Sequence, residues 1–232
     1  MKLIEKNITQ TIEEIYLVET LNLNDKTILE IGCGAAEMTK KIANNGFNRK
    51  IIACDIDEVQ HEKNLKLNIE NVEFRLCSAQ NIDAEDNSID FIFMFKSFHH
   101  IPKEFMKHAI SEIKRVLKPN SLAYICEPLF YGEQNDLTSI FHDEEQVRID
   151  AFETIKKAVE DEELKLFREI FFQTEVTYEN FEDFQKKQMN HSYNENNYTL
   201  ETIEKVREKF NSYGGAKTTL MKPFRVDILQ KS

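Results

Sequence analysis

The sequence predicts an α/β fold in which a doubly wound, mostly parallel sheet of seven strands carries a helical cap after the fifth strand. Between residues 26 and 128, short apolar runs alternate with amphipathic stretches, as in parallel strands joined by helices. The nearly continuous apolar run Ile89–Phe95 suits a central strand covered on both faces. Right-handed connections would then bring the C-terminal ends of the parallel strands to one edge, where ligands bind.

Each element follows from its own pattern of apolar residues. The predicted strands are Ile28–Ile31, Ile51–Cys54, Val72–Leu76, Ile89–Phe95, Leu122–Cys126, Leu164–Val176 and Leu220–Leu229. The predicted helices are 8–21, 35–44, 59–68, one that begins at Pro102 and ends at 118–120, 141–160, 181–189 and 200–210. Two points concern the C-terminal part: 166–171 could instead continue a helix, and Pro223 predicts an edge or a bulge for the last strand.

The chain divides into three predicted parts. Residues 1–128 form the ligand-binding core, residues 129–213 a helical cap with one sheet strand, and residues 214–232 the closing strand of the core sheet. Aromatic residues of the cap are expected to be mostly core, and a few of them, with Tyr193 among the candidates, could line a substrate pocket.

Composition narrows the classes of function. The 232 residues are 41% hydrophobic, enough for a real core, and the net charge of −11 argues against a nucleic-acid partner. The cysteines Cys33, Cys54, Cys77 and Cys126 show no C-x-x-C spacing, so we predict neither a disulfide framework nor a zinc ribbon. The N-terminus lacks a signal-peptide pattern, and no apolar run is long enough for a membrane span. We therefore expect a cytoplasmic protein without a membrane partner.

The turn after the first strand carries the most specific signal for a ligand. Gly32-x-Gly34 alone is weak, because many tight turns contain it. Glu30 stands just before the turn, where it would repel a pyrophosphate and attract a cation. Glu37 occupies the position of the third glycine of a dinucleotide fingerprint, and Asp55 lies at the offset where a carboxylate binds a ribose. The predicted ligand has a ribose and a positive centre and lacks phosphate.

In this order, Ile28–Gly34, Asp55, Cys77–Gln80 and Phe95–Ile101 resemble the motifs of class I S-adenosylmethionine-dependent methyltransferases. The nearest branch is the small-molecule group with ubiquinone and sterol methyltransferase-like proteins. The resemblance covers residues 26–128 and, more weakly, the closing strand. It implies a Rossmann-like fold, S-adenosyl-L-methionine as cofactor with S-adenosyl-L-homocysteine as product, and a small-molecule acceptor. The oligomeric state is left open, a homodimer being one option.

The resemblance also implies a set of cofactor-binding residues. It places Glu30, Gly32, Cys33 and Gly34 at the methionine end, Asp55 at the ribose, Ile56, Ser78, Ala79 and Gln80 around the adenine, and Phe95 and Lys96 near the sulfonium. Two positions depart from the family pattern. Ala36 stands where glycine is usual, and Ser78 stands where an acidic residue often binds the adenine amino group, a role that Gln80 could take over.

The catalytic residues are less well defined. His99 and His100 lie at the mouth of the predicted site, and one of them could act as a general base. Alternatively, one packs beneath the cofactor and the other leads into the next helix. No metal is predicted, although 142–145 admits either a metal or amine site or a solvated helix start. A methyltransferase acting on RNA or protein, and a non-catalytic binder of S-adenosylmethionine, remain the alternative functions.

Overall fold

A computed structural model describes residues 1–189 and 198–232, so Tyr193 lies outside the described residues. Within these ranges a single sheet has the order β3-β2-β1-β4-β5-β7-β6. Its strands are β1 (Thr27–Ile31), β2 (Lys50–Asp55), β3 (Val72–Leu76), β4 (Ile89–Phe95), β5 (Leu117–Pro128), β6 (Lys165–Tyr178) and β7 (Thr218–Gln230). The first five strands are parallel, and β7 runs antiparallel to both β5 and β6. The predicted doubly wound, mostly parallel sheet is confirmed.

Helices cover both faces of the sheet. They are α1 (Glu14–Val18), α2 (Glu37–Ala43), α3 (Glu58–Asn64), α4 (Lys103–Val116), α5 (Glu133–Thr138), α6 (Glu145–Glu160), α7 (Phe181–Gln188) and α8 (Leu200–Ser212), with 3₁₀ turns at Leu65–Leu67 and Phe98–His100. Because side chains alternate along a strand, Ile28 and Phe93 pack with α1 and α2, whereas Leu29 and Ile92 pack with α4 and α6. The two apolar layers hold the strand ends rigidly at one edge.

The predicted first helix, 8–21, is too long. Residues 10–12 are extended beside β6: the Gln173 N–H donates to the Gln10 carbonyl at 2.9 Å, and the Ile12 N–H donates to the Gln173 carbonyl at 3.1 Å. These bonds satisfy backbone groups on the outer side of β6, which is the edge strand of the sheet. Only the short α1 within the predicted range is helical, because residues 10–12 form backbone hydrogen bonds with β6 instead of helical ones.

Two further boundaries differ for local reasons. The helix after the glycine turn begins at Glu37 instead of residue 35, because Ala36 adopts a left-handed conformation with φ of 60°. The predicted stop signal at 118–120 lies inside β5, which begins at Leu117, opposite Ile89 of β4. The ambiguous stretch at 164–176 is the strand β6, so the helical alternative for 166–171 is wrong.

The placement of the closing strand at an edge of the sheet is wrong, since β7 lies between β5 and β6. Pro223 pairs with Gln173, whose backbone groups point outward to residues 10 and 12, so this pair needs no N–H from β7. On the other side, β5 ends at Pro128, opposite Phe224. The Pro223 carbonyl accepts the Leu129 N–H at 3.0 Å. An interior strand thus tolerates proline just beyond the end of its neighbour.

A disulfide joins Cys54 and Cys77, which corrects the expectation from cysteine spacing. β2 and β3 are parallel neighbours with Asp55 opposite Leu76, so cysteines at the two strand ends lie side by side with their Cα atoms 5.4 Å apart. A separation of 23 residues in sequence carries no sign of this pairing. Cys33 and Cys126 are free and buried.

The segment 129–213 contributes to two different packing units. In the described residues, α6 packs on α4 against the sheet, with Ala151 and Ile155 in the main core. By contrast, α5, α7 and α8 build a separate cluster over the C-terminal half of β6, with Phe184 and Phe210 at its centre. No helix in the described part of the chain has the length and apolar character to cross a membrane.

Candidate functional site

A cavity of about 460 Å³, here called the first cavity, opens at the C-terminal ends of β1, β2 and β4. Its wall contains many of the residues predicted to bind the cofactor or to act in catalysis: Gly32, Gly34, Asp55, Ile56, Ala79, Gln80, Lys96 and His100. It also contains residues that sequence reasoning missed: Ile31, Ala35, Asp57, Gln60, Cys77, Met94, Ser97, Ile101 and Pro102. The cavity lies at the sheet edge where parallel strands are expected to bind ligands.

The glycine turn lets β1 and β4 approach each other closely. Gly32 has φ of +76°, and a Cβ atom there would lie 2.5 Å from the Cβ of Ser97. The Ser97 hydroxyl in turn donates to the Ile31 carbonyl at 2.8 Å. Gly34, with φ of +49°, has no atom within 4 Å of its ideal Cβ position, so its backbone faces open space in the wall of the first cavity. Only glycine meets the steric demand at position 32 without strain.

Asp55 holds the turn in place and still has acceptor capacity. One carboxylate oxygen accepts the Gly34 N–H at 2.7 Å, and the other accepts the Asp57 N–H at 3.0 Å. Each carboxylate oxygen can accept a second hydrogen bond, so the hydroxyls of a ribose could be bound as well. Asp57 caps α3 by accepting the Gln60 N–H at 3.0 Å. This cap explains how two residues missed from the sequence reach the wall of the first cavity.

Ile56 and Gln80 provide complementary surfaces for a base. Ile56 is 73% exposed although it lines the first cavity, so an apolar surface there is available to a flat ring. Gln80 lines the same cavity with a side chain that both donates and accepts hydrogen bonds. Together with Asp55, these residues fit an adenosine moiety.

Several of the predicted residues lie behind the wall of the first cavity. Glu30 is buried beneath the turn, where its carboxylate accepts the Thr39 hydroxyl at 2.6 Å. Burial raises the pKa of Glu30 to about 7. The other members of this group are Cys33, Ser78, Phe95 and His99, none of which is in the described lining. Any effect of Glu30 on a bound cation would therefore act through the turn.

Lys96 directly follows β4, has a left-handed backbone conformation and lines the first cavity. It forms an ion pair with Glu14 of α1, a buried carboxylate that also accepts the Tyr124 hydroxyl at 3.4 Å. Sequence reasoning missed Glu14 because the pairing connects residues far apart in the chain. The pairing neutralises the Lys96 ammonium, which would otherwise repel a cationic ligand.

The two adjacent histidines have different environments. His99 is buried, with Nδ1 bonded to Glu127 and Nε2 3.6 Å from Glu144. Burial opposes its protonation, but the two carboxylates prevail and raise the pKa of His99 to about 9. His100 lines the first cavity, and burial together with the charge of His99 lowers its pKa. His100 is thus the neutral imidazole that faces the open space.

His99, His100 and Glu144 are the group among the described residues that could hold a metal ion, with ligand atoms all within 4.8 Å of one another. Their charges are already matched within the protein. Glu144 contacts Arg148 at 2.5 Å and His142 at 2.9 Å, besides facing His99. A metal would have to displace the proton of His99 and compete with Arg148 for the Glu144 carboxylate. We therefore assign no metal to this group, and the absence of a metal stays a prediction.

A second cavity of about 250 Å³ adjoins the first, and His100 lines both. Its wall comes mainly from the segment after β5 and from the start of β7. Besides His100 and Tyr131, the polar residues of that wall are Gln134, Asn135, Thr138, His142, Glu144, Arg148, Gln188 and Lys222. The shared histidine stands where a molecule in one cavity would meet a molecule in the other.

The raised pKa of Glu30 leads to a testable dependence of stability on pH. In the folded protein this carboxyl titrates near 7, against an ordinary value of 4.5, so the folded state binds more protons between these values. Its contribution to stability is complete below about pH 4.5 and is lost as the pH rises through 7. We expect Glu30→Gln to gain about 2 to 3 kcal/mol relative to wild type between pH 5 and pH 8. Chemical unfolding at both pH values measures this gain, and an equal pH dependence in both proteins would contradict it.

Comparisons with known proteins match the core of the chain. Residues 28–120 match the family described as a methyltransferase domain. Over 106 residues the chain is 37% identical to an uncharacterized methyltransferase of Schizosaccharomyces pombe. This match covers 45% of this chain and 40% of that protein. Over 120 residues it is 31% identical to the ubiquinone/menaquinone biosynthesis C-methyltransferase of Rickettsia bellii, covering 48% and 47% of the two chains. The matched parts span less than half the length of these relatives.

The fold is shared with solved structures over nearly the whole chain. A SAM-dependent methyltransferase from Methanosarcina mazei superposes with a TM-score of 0.55 at 16% identity, and the match covers 95% of this chain and 98% of that chain. At such identity the likeness concerns the fold. Residues 28–120 thus match a methyltransferase domain, in agreement with the resemblance seen in the sequence, and the chain has the fold of known S-adenosylmethionine-dependent methyltransferases.

Proposed function

We propose that the protein transfers the methyl group of S-adenosylmethionine to a small-molecule acceptor. The observation that carries this proposal is the pair of adjoining cavities that share His100. The first cavity suits an adenosine with a cationic centre, and the second provides space for a different molecule beside it. The match of residues 28–120 to a methyltransferase domain supports the choice of cofactor.

The residues of the first cavity fit the cofactor from end to end. Asp55 would accept the ribose hydroxyls with its remaining lone pairs, and Ile56 and Gln80 would contact the base. The glycine turn would receive the amino-acid portion, while Glu30 beneath it becomes a carboxylate when an ammonium lies above. When bound, the cofactor supplies an electrophilic methyl group.

The ion pair between Lys96 and Glu14 lowers the net positive charge at the part of the first cavity where the cofactor's methyl group would lie. With its ammonium neutralised, Lys96 can approach a sulfonium without strong repulsion. A nucleophile positioned in the second cavity would lie beside that part of the first cavity, and a bound acceptor would itself displace water from the reacting atoms.

His100 is the candidate general base. Its pKa is lowered by burial and by the positive charge of His99, so it is neutral at physiological pH and able to accept a proton. His99 is held by Glu127, whose other oxygen accepts the Phe98 N–H at 2.9 Å. His99 therefore acts as a positioning residue that fixes the short turn carrying His100.

We expect His100→Gln to lower methyl transfer to an acceptor hydroxyl by about a hundredfold, because general bases contribute at least this much. The affinity for S-adenosylhomocysteine should change little. His108→Gln, on the exposed face of α4, is the matched control and should retain full turnover. Retained turnover in His100→Gln would remove this residue from the mechanism, as would an equal loss in both variants.

A small acceptor suits the size of the second cavity and the net charge of the chain, which is −11. An RNA acceptor would need a basic surface. Retention of the protein on RNA at physiological salt would favour that alternative, and methylation of a protein substrate would favour the other macromolecular one. A non-catalytic binder would hold the cofactor without forming a methylated product.

The first test is calorimetric titration with S-adenosylmethionine and with S-adenosylhomocysteine. We expect both to bind with micromolar affinity, and absence of binding at high micromolar concentration would overturn the proposal. A library of small acceptors is then screened for formation of S-adenosylhomocysteine. Cofactor binding without turnover on any acceptor class would favour the non-catalytic alternative.

A further inference from the structure

Lys222 gives the second cavity a positive charge that has no direct ion-pair partner among the described residues. This lysine lies near the start of β7 and lines the cavity, and it is half-buried. Among the described residues no carboxylate lies within ion-pair distance of its ammonium. Its ammonium lies over the ring of Phe224, with the ring centroid 5.5 Å from Nζ. Burial, with repulsion from Lys96 and Arg148, outweighs the attraction of Glu144 and lowers the pKa of Lys222 to about 8.

The other cations near this cavity are already matched. Arg148 contacts Glu144 at 2.5 Å and donates to the Asn135 side chain at 3.0 Å. Lys96 lies 5.2 Å from the centroid of the same Phe224 ring as Lys222, but it pairs with Glu14. An ammonium that is partly removed from water without a partner costs free energy, and an anionic ligand would recover it. The contrast between these lysines marks Lys222 as the position for a ligand.

A second donor accompanies Lys222 in the wall. Gln134 is 3% exposed, and its amide oxygen accepts the Tyr178 hydroxyl at 3.0 Å. Its amide nitrogen has no acceptor among the described residues and belongs to a side chain that lines the cavity. An ammonium and an amide N–H in one wall are suitable donors for two oxygen atoms of one group.

We propose that the acceptor carries a carboxylate, which Lys222 and Gln134 bind in the second cavity while the acceptor's nucleophilic atom lies toward His100. This inference rests on the proposed function. One ammonium without an ion-pair partner matches one negative charge. A phosphate would bring close to two charges at neutral pH, and the second would lie unpaired in a wall that also contains Glu144.

The test compares benzoate with benzamide, two molecules of nearly the same shape that differ in charge. Both are titrated by calorimetry into the wild-type protein, with and without saturating S-adenosylhomocysteine. We expect benzoate to bind about tenfold more tightly than benzamide, because the Lys222 ammonium forms an ion pair with the carboxylate and only an ion–dipole hydrogen bond with the neutral amide. In Lys222→Gln this preference should disappear. Lys217→Gln, an exposed lysine just before β7, is the matched control and should keep it.

Three results would overturn the inference: equal binding of the two probes, a preference for benzoate that survives in Lys222→Gln, or binding of inorganic phosphate in preference to benzoate. Thermal unfolding of each variant verifies that it is folded, and Lys222→Met provides a second substitution without charge. The titrations without S-adenosylhomocysteine measure probe binding independently of the cofactor site, so the two proposals can fail separately. If the wild type does not bind S-adenosylhomocysteine, the proposed function is contradicted. If benzoate shows no preference over benzamide, only the inferred carboxylate of the acceptor is contradicted.

Discussion

Asp55→Ala is expected to weaken the binding of S-adenosylhomocysteine by about a thousandfold. The substitution removes the acceptor for the ribose hydroxyls, and hydrogen bonds to a charged group contribute about 1.5–3 kcal/mol each. It also leaves the N–H groups of Gly34 and Asp57 without their acceptor, so the glycine turn loses its link to β2. Calorimetric titration of the wild type and the variant measures the change in dissociation constant.

Two further variants separate the causes of that loss. Asp55→Asn keeps one acceptor oxygen for the backbone and removes the charge, so its affinity should lie between those of the wild type and Asp55→Ala. Asp83→Ala removes a carboxylate of the same type that is 87% exposed and away from the wall of the first cavity, and it should bind normally. An unchanged affinity in Asp55→Ala would overturn the assignment of Asp55 to the ribose.

Asp227→Ala is expected to lower the free energy of unfolding by about 4 kcal/mol. Asp227 is fully buried on β7 and accepts from the Nε of Arg225 at 2.8 Å, where the Arg225 side chain is 2% exposed. The guanidinium lies 4.5 Å from the ring centroid of Phe152 on α6, inside the sheet–helix interface. Removal of one partner leaves a buried charge without compensation, which typically costs 3–5 kcal/mol, or about 4 kcal/mol here. Urea unfolding measures the loss.

The paired replacement Arg225→Met with Asp227→Leu serves as the control, because it removes both charges and keeps apolar volume. We expect it to recover most of the lost stability. Glu201→Ala, which removes the exposed partner of Lys205 on α8, should change stability by less than about 0.5 kcal/mol. If Asp227→Ala were as mild as Glu201→Ala, the buried pair would not stabilise the fold as inferred.

Local patterns predicted the core strands well because each strand is short, apolar and bounded by polar residues. Ile89–Phe95 and Val72–Leu76 agree with the structure at both ends. Errors arose where a distant segment decided the outcome. The extended residues 10–12 owe their conformation to β6, which lies far along the chain, and Pro223 fits an interior strand only because β5 ends beside it.

The same distinction holds at the site. The glycine turn and Asp55 follow from spacing along neighbouring strands, and Ile56 follows from the family resemblance; the structure brings all three together in the first cavity. Glu14 could not be predicted, since its role depends on the packing of α1 against the end of β4. The different protonation of His99 and His100 likewise depends on Glu127 and Glu144, two carboxylates that only the fold brings close to His99.

The ion pair between Glu14 and Lys96 has a consequence for how this domain is delimited. The matched methyltransferase domain begins at residue 28, and Glu14 lies before it. A fragment trimmed to the matched region would keep every glycine and carboxylate of the cofactor turn and would lose the counter-ion of Lys96. In the proposed complex with S-adenosylmethionine, the Lys96 ammonium would then lie near the sulfonium without its counter-ion. The electrostatic unit of the site is thus larger than its sequence signature, and it includes the N-terminal helix.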